Sequence, residues 1–443
     1  MKKIKNLSEG NFLKLFFAFV TVAFLIAAVC MPDRGQMFTG LWNIMTNPSK
    51  LSSNYFSIGG LAGTFLNVGL VCLINLAVFH FTKATVNNVS TLAFLLTAGF
   101  CTWGINVLNV WPIFAGVALG CVIKKEKLSA GANAMLFSTG VAPIVSEMLF
   151  RYPNAEIVGF NVLGVILGIV VGIAAGLLIP AGLPHSPKVH KGLDLYSAAL
   201  PVGMTAFFFN GLFYKIMGID VPGAPGDLSV ASAPAINIFC GVLFALFVIF
   251  GLIMGGGKGY WALLKNRHQV NNVSGTQGNA VFLMNVGVYG LFILAYSNGI
   301  GANFNGVVLG LVFCMLSCCN SGSRPTNVWP IMLGYVVASF GASWISGLLG
   351  GNFTLSINAA AIAVGLCFAS GLSPICDKYG WHYGFLAAIL HYVLVTLVPN
   401  IHGGFCLYNG GFTAVFVCIL MVPVLEKFCK TKEERLAQKA NKV

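Results

Sequence analysis

The sequence predicts an all-α membrane protein, a polytopic bundle of helices formed by two repeats that are inserted in opposite orientations. Three observations support this prediction: the composition, the spacing of the apolar segments and an internal repeat. Of the 443 residues, 57% are hydrophobic and only 8% are charged, and the mean hydropathy is +0.85. Soluble domains carry about 25% charged residues, so most of this surface is expected to contact lipid.

Apolar segments of about 18 to 25 residues, the length that crosses the hydrocarbon core of a bilayer, recur along the whole chain. The loops between them are too short for a soluble domain, so we expect one membrane domain with the lipid bilayer as its main partner. The net charge of +13 does not indicate nucleic-acid binding here. The Lys and Arg residues form short clusters between apolar segments, as topology signals do.

The sequence repeats itself at a separation of 218 positions. The motif NVWPI begins at Asn109 and again at Asn327, and Gly60 has its counterpart in Gly278. Chance similarity among glycine-rich apolar segments would give scattered separations, so we interpret the repeat as a duplication.

The duplication predicts two membrane repeats, residues 1–220 and 221–443. We count seven apolar segments in each repeat, and an odd number requires the second repeat to enter the membrane upside down. Segments 109–123 and 131–149 are short and carry Pro and Gly, so they also fit half-helices. Five full helices with two re-entrant half-helices per repeat would preserve the inversion.

The distribution of basic residues supports this topology. With the amino terminus inside, 21 of the 25 Lys and Arg residues fall in cytoplasmic loops or termini, as the positive-inside rule requires. Only Arg34, Lys50, Arg151 and Lys215 are left outside. We therefore expect both termini to be cytoplasmic.

The first apolar segment, residues 11–31, follows a basic stretch and has the layout of either a secretory signal or a membrane helix. We expect a retained helix, because the second half offers a counterpart at 234–254. The thirteen Cys residues are mostly single and lie in apolar segments, where a thiol acts as a small hydrophobe. We expect no disulfide framework, no metal site and no cofactor.

The glycine-rich stretch GGLAGTFLNVG, from Gly59 to Gly69, the doubled NVWP motif and the duplication over nearly the whole chain resemble a bacterial membrane family known as domain of unknown function 1576. That domain tends to occur twice per chain. The resemblance implies a protein of the bacterial plasma membrane and brings no substrate and no functional residues with it. The architecture is also similar to urea transporters and to nucleobase or anion carriers. Their acidic mid-membrane residues have no counterpart here, so their substrates are not transferred.

Residues that are polar, repeated and close to helix breakers are the best candidates for solute binding, because solutes bind where broken helices of two inverted halves meet. Asn67 and Asn285 satisfy these conditions, since each follows a glycine cluster. An amide donates and accepts hydrogen bonds, so facing copies would hold a polar solute or help to dehydrate an ion. The alternative is that they only connect helices.

Asn109 and Asn327 precede Trp-Pro, a pattern typical of an N-cap followed by Pro in the first turn of a helix. The free N–H groups of such a helix end could contact an anionic or electron-rich solute. Trp111 and Trp329 also fit the aromatic belts of the two membrane faces. Capping and anchoring are the favoured interpretation.

Pro143 and Pro374 lie in the repeated pattern Gly-Xaa-Xaa-Pro-Ile. Proline interrupts a helix and frees carbonyl groups, so both residues mark either re-entrant tips that contact solute or plain kinks. Glu147 and Asp377 follow closely and are candidates for gating or proton relay, although an acid near a membrane edge is more often a solvated loop residue.

His190 and Tyr196 recur as His402 and Tyr408 at the start of the last segment of each half. They are candidates for gating or proton relay, with interfacial anchoring as the default interpretation.

Glycine recurs every four residues from Gly164 to Gly176. The resulting smooth helix face favours close packing against another helix, either within the fold or in a homo-oligomer.

All twelve acidic residues can be assigned to loops or segment ends, so we rank uniport, channel conduction and sodium coupling above proton coupling. No Walker loop, HExxH or GxSxG signature is present, and we do not expect an enzyme. The leading hypothesis is a transporter or channel for a small polar or weakly ionic solute, with a pathway between the repeats lined by Asn67 and Asn285. The alternatives are a membrane enzyme acting on a lipid-linked substrate and a membrane subunit that transports nothing.

Overall fold

The computed structural model describes residues 7–266 and 268–441. Within these residues every regular element is a helix, and nine helices are long and apolar enough to cross a membrane. The prediction of an all-α polytopic membrane protein is therefore confirmed. Five basic residues that the topology prediction counts as cytoplasmic lie outside the described residues: Lys2, Lys3, Lys5, Arg267 and Lys442.

The first half of the chain forms ten helices. They are α1 (Glu9–Cys30), α2 (Met37–Met45), α3 (Tyr55–Phe81), α4 (Asn88–Phe100), α5 (Trp111–Ile123), α6 (Leu128–Ser138), α7 (Ala142–Phe150), α8 (Val162–Gly182), α9 (Ser186–His190) and α10 (Ala199–Asn210).

The second half forms twelve helices within the described residues. They are α11 (Ala233–Ile253), α12 (Gly257–Lys265), α13 (Val273–Gln277), α14 (Asn279–Gly299), α15 (Gly306–Leu316), α16 (Pro325–Leu348), α17 (Ala360–Ala369), α18 (Ser373–Lys378), α19 (Trp381–Val395), α20 (Pro399–His402), α21 (Asn409–Phe428) and α22 (Lys432–Ala440).

The two halves have the same order of helices, since α1 to α10 correspond to α11 to α21. The long helix α3 is matched by the pair α13 and α14. Gly60 interrupts the helical geometry inside α3 with φ 71°, and its counterpart Gly278 separates α13 from α14 with φ 93°. Glycine adopts this left-handed conformation without a side-chain clash, so both repeats break the helix at the same point.

Four helix starts repeat as well. Asn54 and Asn272 are the N-caps of α3 and α13, and Asn87 and Asn305 are the N-caps of α4 and α15. Each side chain accepts a backbone N–H of its helix, which satisfies one of the free donors of the first turn. Each pair is 218 positions apart, as the repeat requires.

Equivalent helices also have equivalent neighbours. Helix α1 packs on α3 as α11 packs on α14, and α5 packs on α8 as α16 packs on α19. Between the halves, α4 lies beside α15, where two glycines allow close approach. A Cβ on Gly99 would lie 2.6 Å from the carbonyl oxygen of Gly310, and a Cβ on Gly310 would lie 2.5 Å from that of Gly99.

The glycine repeat of α8 packs within the fold. A Cβ on Gly176 would lie 2.3 Å from the carbonyl oxygen of Ile113 in α5, and a Cβ on Gly164 would lie 2.8 Å from that of Leu149 in α7. The smooth face therefore admits two neighbouring helices at backbone distance, as the spacing predicts.

The lengths of the crossing segments differ between the repeats. Four apolar helices are shorter than the nine long ones: α4, α5, α15 with its following turn, and α19. Helix α5 has 13 residues, whereas its counterpart α16 has 24. The predicted segment 131–149 belongs to a continuous span of 23 residues, Leu128–Phe150.

All thirteen Cys residues are free, and eleven of them are buried in the bundle. The first apolar segment forms α1, whose aromatic side chains contact the second half. The rings of Phe16 and Phe247 lie 5.2 Å apart, and those of Phe24 and Phe239 lie 4.9 Å apart. This contact and the pairing of α4 with α15 join the two halves.

Candidate functional site

Asn67 is fully buried in α3 and holds the turn that follows α4. Its Nδ2 donates to the carbonyl oxygens of Cys101 at 2.8 Å and Ile105 at 2.9 Å, and its Oδ1 accepts the N–H of Val107 at 3.2 Å. The amide therefore satisfies three backbone groups of the turn that follows α4.

Asn285 has the same role in the second repeat. Its Nδ2 donates to the carbonyl oxygens of Cys319 at 2.8 Å and Ser323 at 2.9 Å, while its Oδ1 has no partner. Asn67 and Asn285 thus each use both donors within their own repeat. The solute contact expected of this pair stays a prediction.

Asn109 closes the same turn of the first repeat from the other side. Its Nδ2 donates to the carbonyl oxygen of Gly104 at 3.0 Å and to Ser146 Oγ at 2.9 Å, and its Oδ1 accepts the N–H of Asn106 at 2.9 Å. The first residue of α5 is Trp111 and its N-cap is Val110. The predicted N-cap role of Asn109 is therefore wrong, because its side-chain oxygen accepts an N–H of the preceding turn and not one of α5.

Asn327 repeats this arrangement. Its Oδ1 accepts the N–H of Arg324 at 2.9 Å, and its Nδ2 donates to the carbonyl oxygen of Gly322 at 3.1 Å and to Asp377 Oδ2 at 2.9 Å. It lies inside α16, whose N-cap is Arg324, so the N-cap prediction is wrong here too. The exposed fractions of Trp111 and Trp329 are 51% and 40%, in keeping with contact to the membrane face.

Asp377 forms a buried ion pair with Arg324. The guanidinium donates to both carboxylate oxygens, at 3.1 Å and 2.9 Å, and also to the carbonyl oxygen of Asn266 at 2.8 Å. The two side chains are 6% and 1% exposed. Asp377 is therefore not a solvated loop residue, and Arg324 has a structural role besides the topological role predicted for it.

Glu147 forms a second buried ion pair, with Arg151 one helical turn later. The two guanidinium contacts measure 2.8 Å and 2.7 Å, and the Tyr214 hydroxyl donates to Glu147 Oε1 at 3.1 Å. The expectation of a solvated acid is wrong here for the same reason. Bidentate pairing offsets the desolvation of both charges, which makes their burial possible.

Pro143 and Pro374 lie in the first turns of α7 and α18. Each follows a turn of 3-10 helix, Thr139–Val141 and Ser370–Leu372, that interrupts a span in its middle. Both spans continue beyond the interruption. The prolines therefore lie at interruptions inside candidate membrane spans, and their contact with solute stays a prediction.

The two interrupted helices are connected to the opposite repeats by reciprocal hydrogen bonds. The N–H of Leu195 donates to the carbonyl oxygen of Gly371 at 3.0 Å, and the N–H of Leu407 donates to that of Gly140 at 2.9 Å. We call this arrangement the crossing; it consists of Gly140, Gly371 and the non-helical segments 191–198 and 403–408.

The rings of Tyr196 and Tyr408 fill the crossing. A Cβ on Gly371 would lie 2.3 Å from Tyr196 Cδ2, and a Cβ on Gly140 would lie 2.4 Å from Tyr408 Cδ2. The Phe368 ring packs against both, with centroid distances of 4.8 Å and 5.8 Å. The tyrosines are 0% and 1% exposed, so the interpretation as interfacial anchors is wrong for them.

His190 and His402 are also buried. They are the last residues of α9 and α20, and each bonds a residue seven positions later, across the non-helical segment. His190 Nε2 lies 2.8 Å from Ser197 Oγ, and His402 Nε2 lies 2.9 Å from Asn409 Oδ1. Ser197 and Asn409 occupy equivalent positions, so this contact repeats like the others. Neither histidine serves as an anchor at the membrane surface.

Sequence reasoning missed Asp194, which lies at the crossing with 2% of its surface exposed. Its Oδ1 accepts the N–H of Tyr196 at 3.0 Å, and its Oδ2 has no hydrogen-bond partner. The statement that all acids lie in loops or at segment ends is therefore misleading, because this loop is buried. The available signal was its place two residues before a repeated tyrosine.

Lys50, counted above as an outer loop residue, is 4% exposed. Its ammonium donates to the carbonyl oxygen of Pro222 and lies 4.8 Å from the centre of the Phe405 ring. Burial lowers the pKa of Lys50 to about 8. This lysine therefore fastens the non-helical segment 403–408 in addition to any topological role.

Comparison with curated proteins and with solved structures finds no match for this chain. A family profile matches twice, over residues 33–215 and 257–427, so the duplicated domain expected from the sequence is confirmed. These two matches cover most of the chain, which belongs to the family described as protein of unknown function (DUF1576).

Proposed function

We propose that this protein moves a small polar or weakly ionic solute across the bacterial plasma membrane, along a pathway between two repeats of opposite orientation. The observation that carries the proposal is the crossing. Both repeats interrupt a spanning helix in its middle, and each supplies a non-helical segment to the interruption of the other. In inverted-repeat transporters, solutes bind where discontinuous helices from the two repeats meet.

The directions of α10 and α21 support the inversion. The two helices begin side by side, since a Cβ on Gly411 would lie 2.7 Å from Ala199 Cβ. The end of α10 lies beside α20, where Asn210 Nδ2 donates to the carbonyl oxygen of Ile401 at 2.9 Å. The end of α21 lies at the other end of the bundle, where Glu426 pairs with Lys191 at 2.5 Å.

The starts of α10 and α21 at the crossing give it polar character. The first N–H groups of a helix have no partner within the helix and carry the positive end of its dipole. Two such ends inside the bundle would attract a carbonyl, carboxylate or similar electron-rich group of a solute. This arrangement supports transport of polar molecules over purely apolar ones.

The crossing is closed in this structure, because Tyr196, Tyr408 and Phe368 fill it. Transport would require these rings to separate and the two repeats to move relative to each other, as in alternating access. A subunit that transports nothing would show the same closed packing, so the functional test has to measure movement of solute.

The test uses purified protein in liposomes and measures entry of urea, glycerol, formate and acetate by light scattering. We expect at least one of these solutes to enter faster than into protein-free liposomes, and Gly371→Ala to slow this entry. Gly241→Ala is the matched control, because its Cβ would meet no atom within 4 Å. Entry no faster than in protein-free liposomes for all four solutes would count against transport and favour the subunit.

A separate experiment tests the inversion and the cytoplasmic termini. Gln36→Cys and Lys258→Cys are introduced singly into a cysteine-free background, because both positions are exposed. Gln36 directly precedes α2, and Lys258 lies in the first turn of α12, the counterpart of α2. An impermeant maleimide added to intact cells should label the first and not the second. Labelling of both from the same side would refute the opposite orientation.

A further inference from the structure

Three carboxylates are buried in the described part of the chain, and Asp194 differs from the other two. Glu147 and Asp377 each face a guanidinium that contacts both of their oxygens. Asp194 receives only the N–H of Tyr196 on Oδ1, and its Oδ2 has no partner. The chain therefore neutralises two of its buried acids and leaves the third without a counter-charge.

The surroundings of Asp194 contain weak acids and hydroxyl groups. The thiols of Cys318 and Cys418 lie close enough to interact with its charge. On its own segment the titratable groups are Tyr196 and Lys191, and the lysine is paired with Glu426. His190, at the end of α9, is bonded to Ser197. Within residues 7–266 and 268–441, no basic side chain bonds the carboxylate.

A second buried polar atom at this place also has no partner. The hydroxyl of Tyr289, in α14, lies near Tyr196 and makes no hydrogen bond. Ser370 Oγ contacts the Tyr196 hydroxyl at 3.4 Å. Hydroxyl groups of the second repeat therefore lie around the side chain of Tyr196, two residues after Asp194.

A carboxylate without a partner is costly to bury, because losing water costs an isolated charge several kcal/mol or more. The cost disappears when a proton neutralises the group, and it is offset when a cation is bound by it. A buried polar atom without a hydrogen bond calls for an explanation, such as strain, a bound ion or water, or a functional role. We therefore expect Oδ2 to bind a proton or a cation during function.

We propose that Asp194 Oδ2 is a binding site for a monovalent cation, either a proton or Na⁺, at the crossing of the two repeats. Because Asp194 borders Gly371, occupation of the site would act directly on the interrupted helix of the second repeat. A Cβ on Gly371 would lie 2.8 Å from Asp194 Oδ1. The role of this cation as a coupling ion rests on the proposed transport function, whereas its binding does not.

The site is unique to the first repeat. The position equivalent to Asp194 is Cys406, which lies two residues before Tyr408 as Asp194 lies before Tyr196. A thiol does not replace a carboxylate as a ligand for a proton or for Na⁺ at neutral pH. A single cation per chain is therefore expected, on the side of the crossing that segment 191–198 approaches.

The experiment measures thermal unfolding of the purified protein in detergent, without any solute. Samples at pH 5 to 9 contain choline chloride, KCl or NaCl at one ionic strength. If the site binds a proton, the melting temperature in choline chloride falls as pH rises, because the ionised carboxylate destabilises the fold. If it binds Na⁺, NaCl raises the melting temperature at high pH by about 2 °C or more, and KCl does not.

Two variants assign the effect to this residue. Asp194→Asn should abolish the response, and Asp220→Asn, the same change at an exposed position, should keep it. A response that is identical in the wild type, Asp194→Asn and Asp220→Asn would overturn the proposal. If Asp194→Asn does not fold, a wild type that responds to neither pH nor Na⁺ still overturns it.

The outcome is independent of the liposome experiment. Cation-dependent stability without solute entry would refute transport and retain the site. Solute entry without any cation-dependent stability would retain transport and refute the site.

Discussion

The turn after α4 and the turn after α15 are built on the same frame and carry different chemistry. Asn67 and Asn109 hold the first turn, and Asn285 and Asn327 hold the second, through equivalent hydrogen bonds at nearly equal distances. Asn109 and Asn327 also each contact a side chain on a more distant helix, α7 or α18, and this side chain differs between the repeats. In the first repeat it is Ser146, whereas in the second it is Asp377.

A second equivalent position also differs between the repeats. The residue whose N–H binds the asparagine is Asn106 in the first turn and Arg324 in the second. The second turn therefore contains a buried ion pair where the first contains neutral amide and hydroxyl groups. The duplication has kept the groups that fix the backbone and has varied the charges they support.

The largest expected effect comes from breaking the ion pair of the second turn. Arg324→Met removes the guanidinium that contacts both oxygens of the buried Asp377 carboxylate, which should cost about 3 to 5 kcal/mol of stability. The double variant Arg324→Asn with Asp377→Ser installs the neutral groups of the first turn and should recover most of the loss. Thermal unfolding in detergent measures both.

Arg34→Met is the control for this comparison, because Arg34 is exposed and its loss should change stability little. If the double variant were as unstable as Arg324→Met alone, the side chains of the first turn could not replace those of the second.

A comparable effect is expected from the shared amides. Asn67→Leu and Asn285→Leu each leave two buried carbonyl groups without a donor, at about 1 to 3 kcal/mol per group. Asn67 also accepts the N–H of Val107, whereas Asn285 Oδ1 has no partner. Asn67→Leu should therefore be the more destabilising change in a thermal unfolding assay.

The matched control for the amides is Asn43→Leu at an exposed position. Equal stability of Asn67→Leu and the wild type would remove the structural role and strengthen the solute-binding prediction for this pair.

The crossing should respond symmetrically. Gly140→Ala and Gly371→Ala each force a methyl group against a buried tyrosine ring of the other repeat, and overpacking of this kind costs about 1 to 3 kcal/mol. The two melting temperatures should fall by similar amounts. A fall in only one of them would show that the repeats do not share this contact equally.

The smallest effect is expected at the exposed ion pair between Lys191 and Glu426, whose side chains are 52% and 40% exposed. Glu426→Gln should change stability by less than about 1 kcal/mol, because solvent screens such pairs. An effect as large as that of Arg324→Met would contradict the ranking of buried over exposed pairs.

The repeat made much of the fold predictable from the sequence. Helices, helix breaks at Gly60 and Gly278 and the repeated asparagines all follow from local pattern and from one separation. The pairing of Glu147 with Arg151 was also within reach, since residues four apart lie on one helix face.

The partners across the repeats were not predictable in the same way. Asp194 stands in the polar stretch KGLDLYS, which has the composition of a solvated loop. Its burial results from Gly371, more than 170 positions later, and no local pattern encodes that contact. Arg324 likewise resembled a topology signal, because its partner Asp377 is distant in sequence and close only in the folded chain.

The exchange of hydrogen bonds at the crossing sets a limit on the order of biosynthesis. The carbonyl group of Gly140 receives its donor from Leu407, close to the end of a chain of 443 residues. During translation, the first repeat therefore enters the membrane long before the segment that completes its centre has left the ribosome. Until then, the carbonyl group of Gly140 has no donor and the interior of the first repeat is incomplete. We therefore expect insertases or chaperones of the membrane to bind the nascent first repeat.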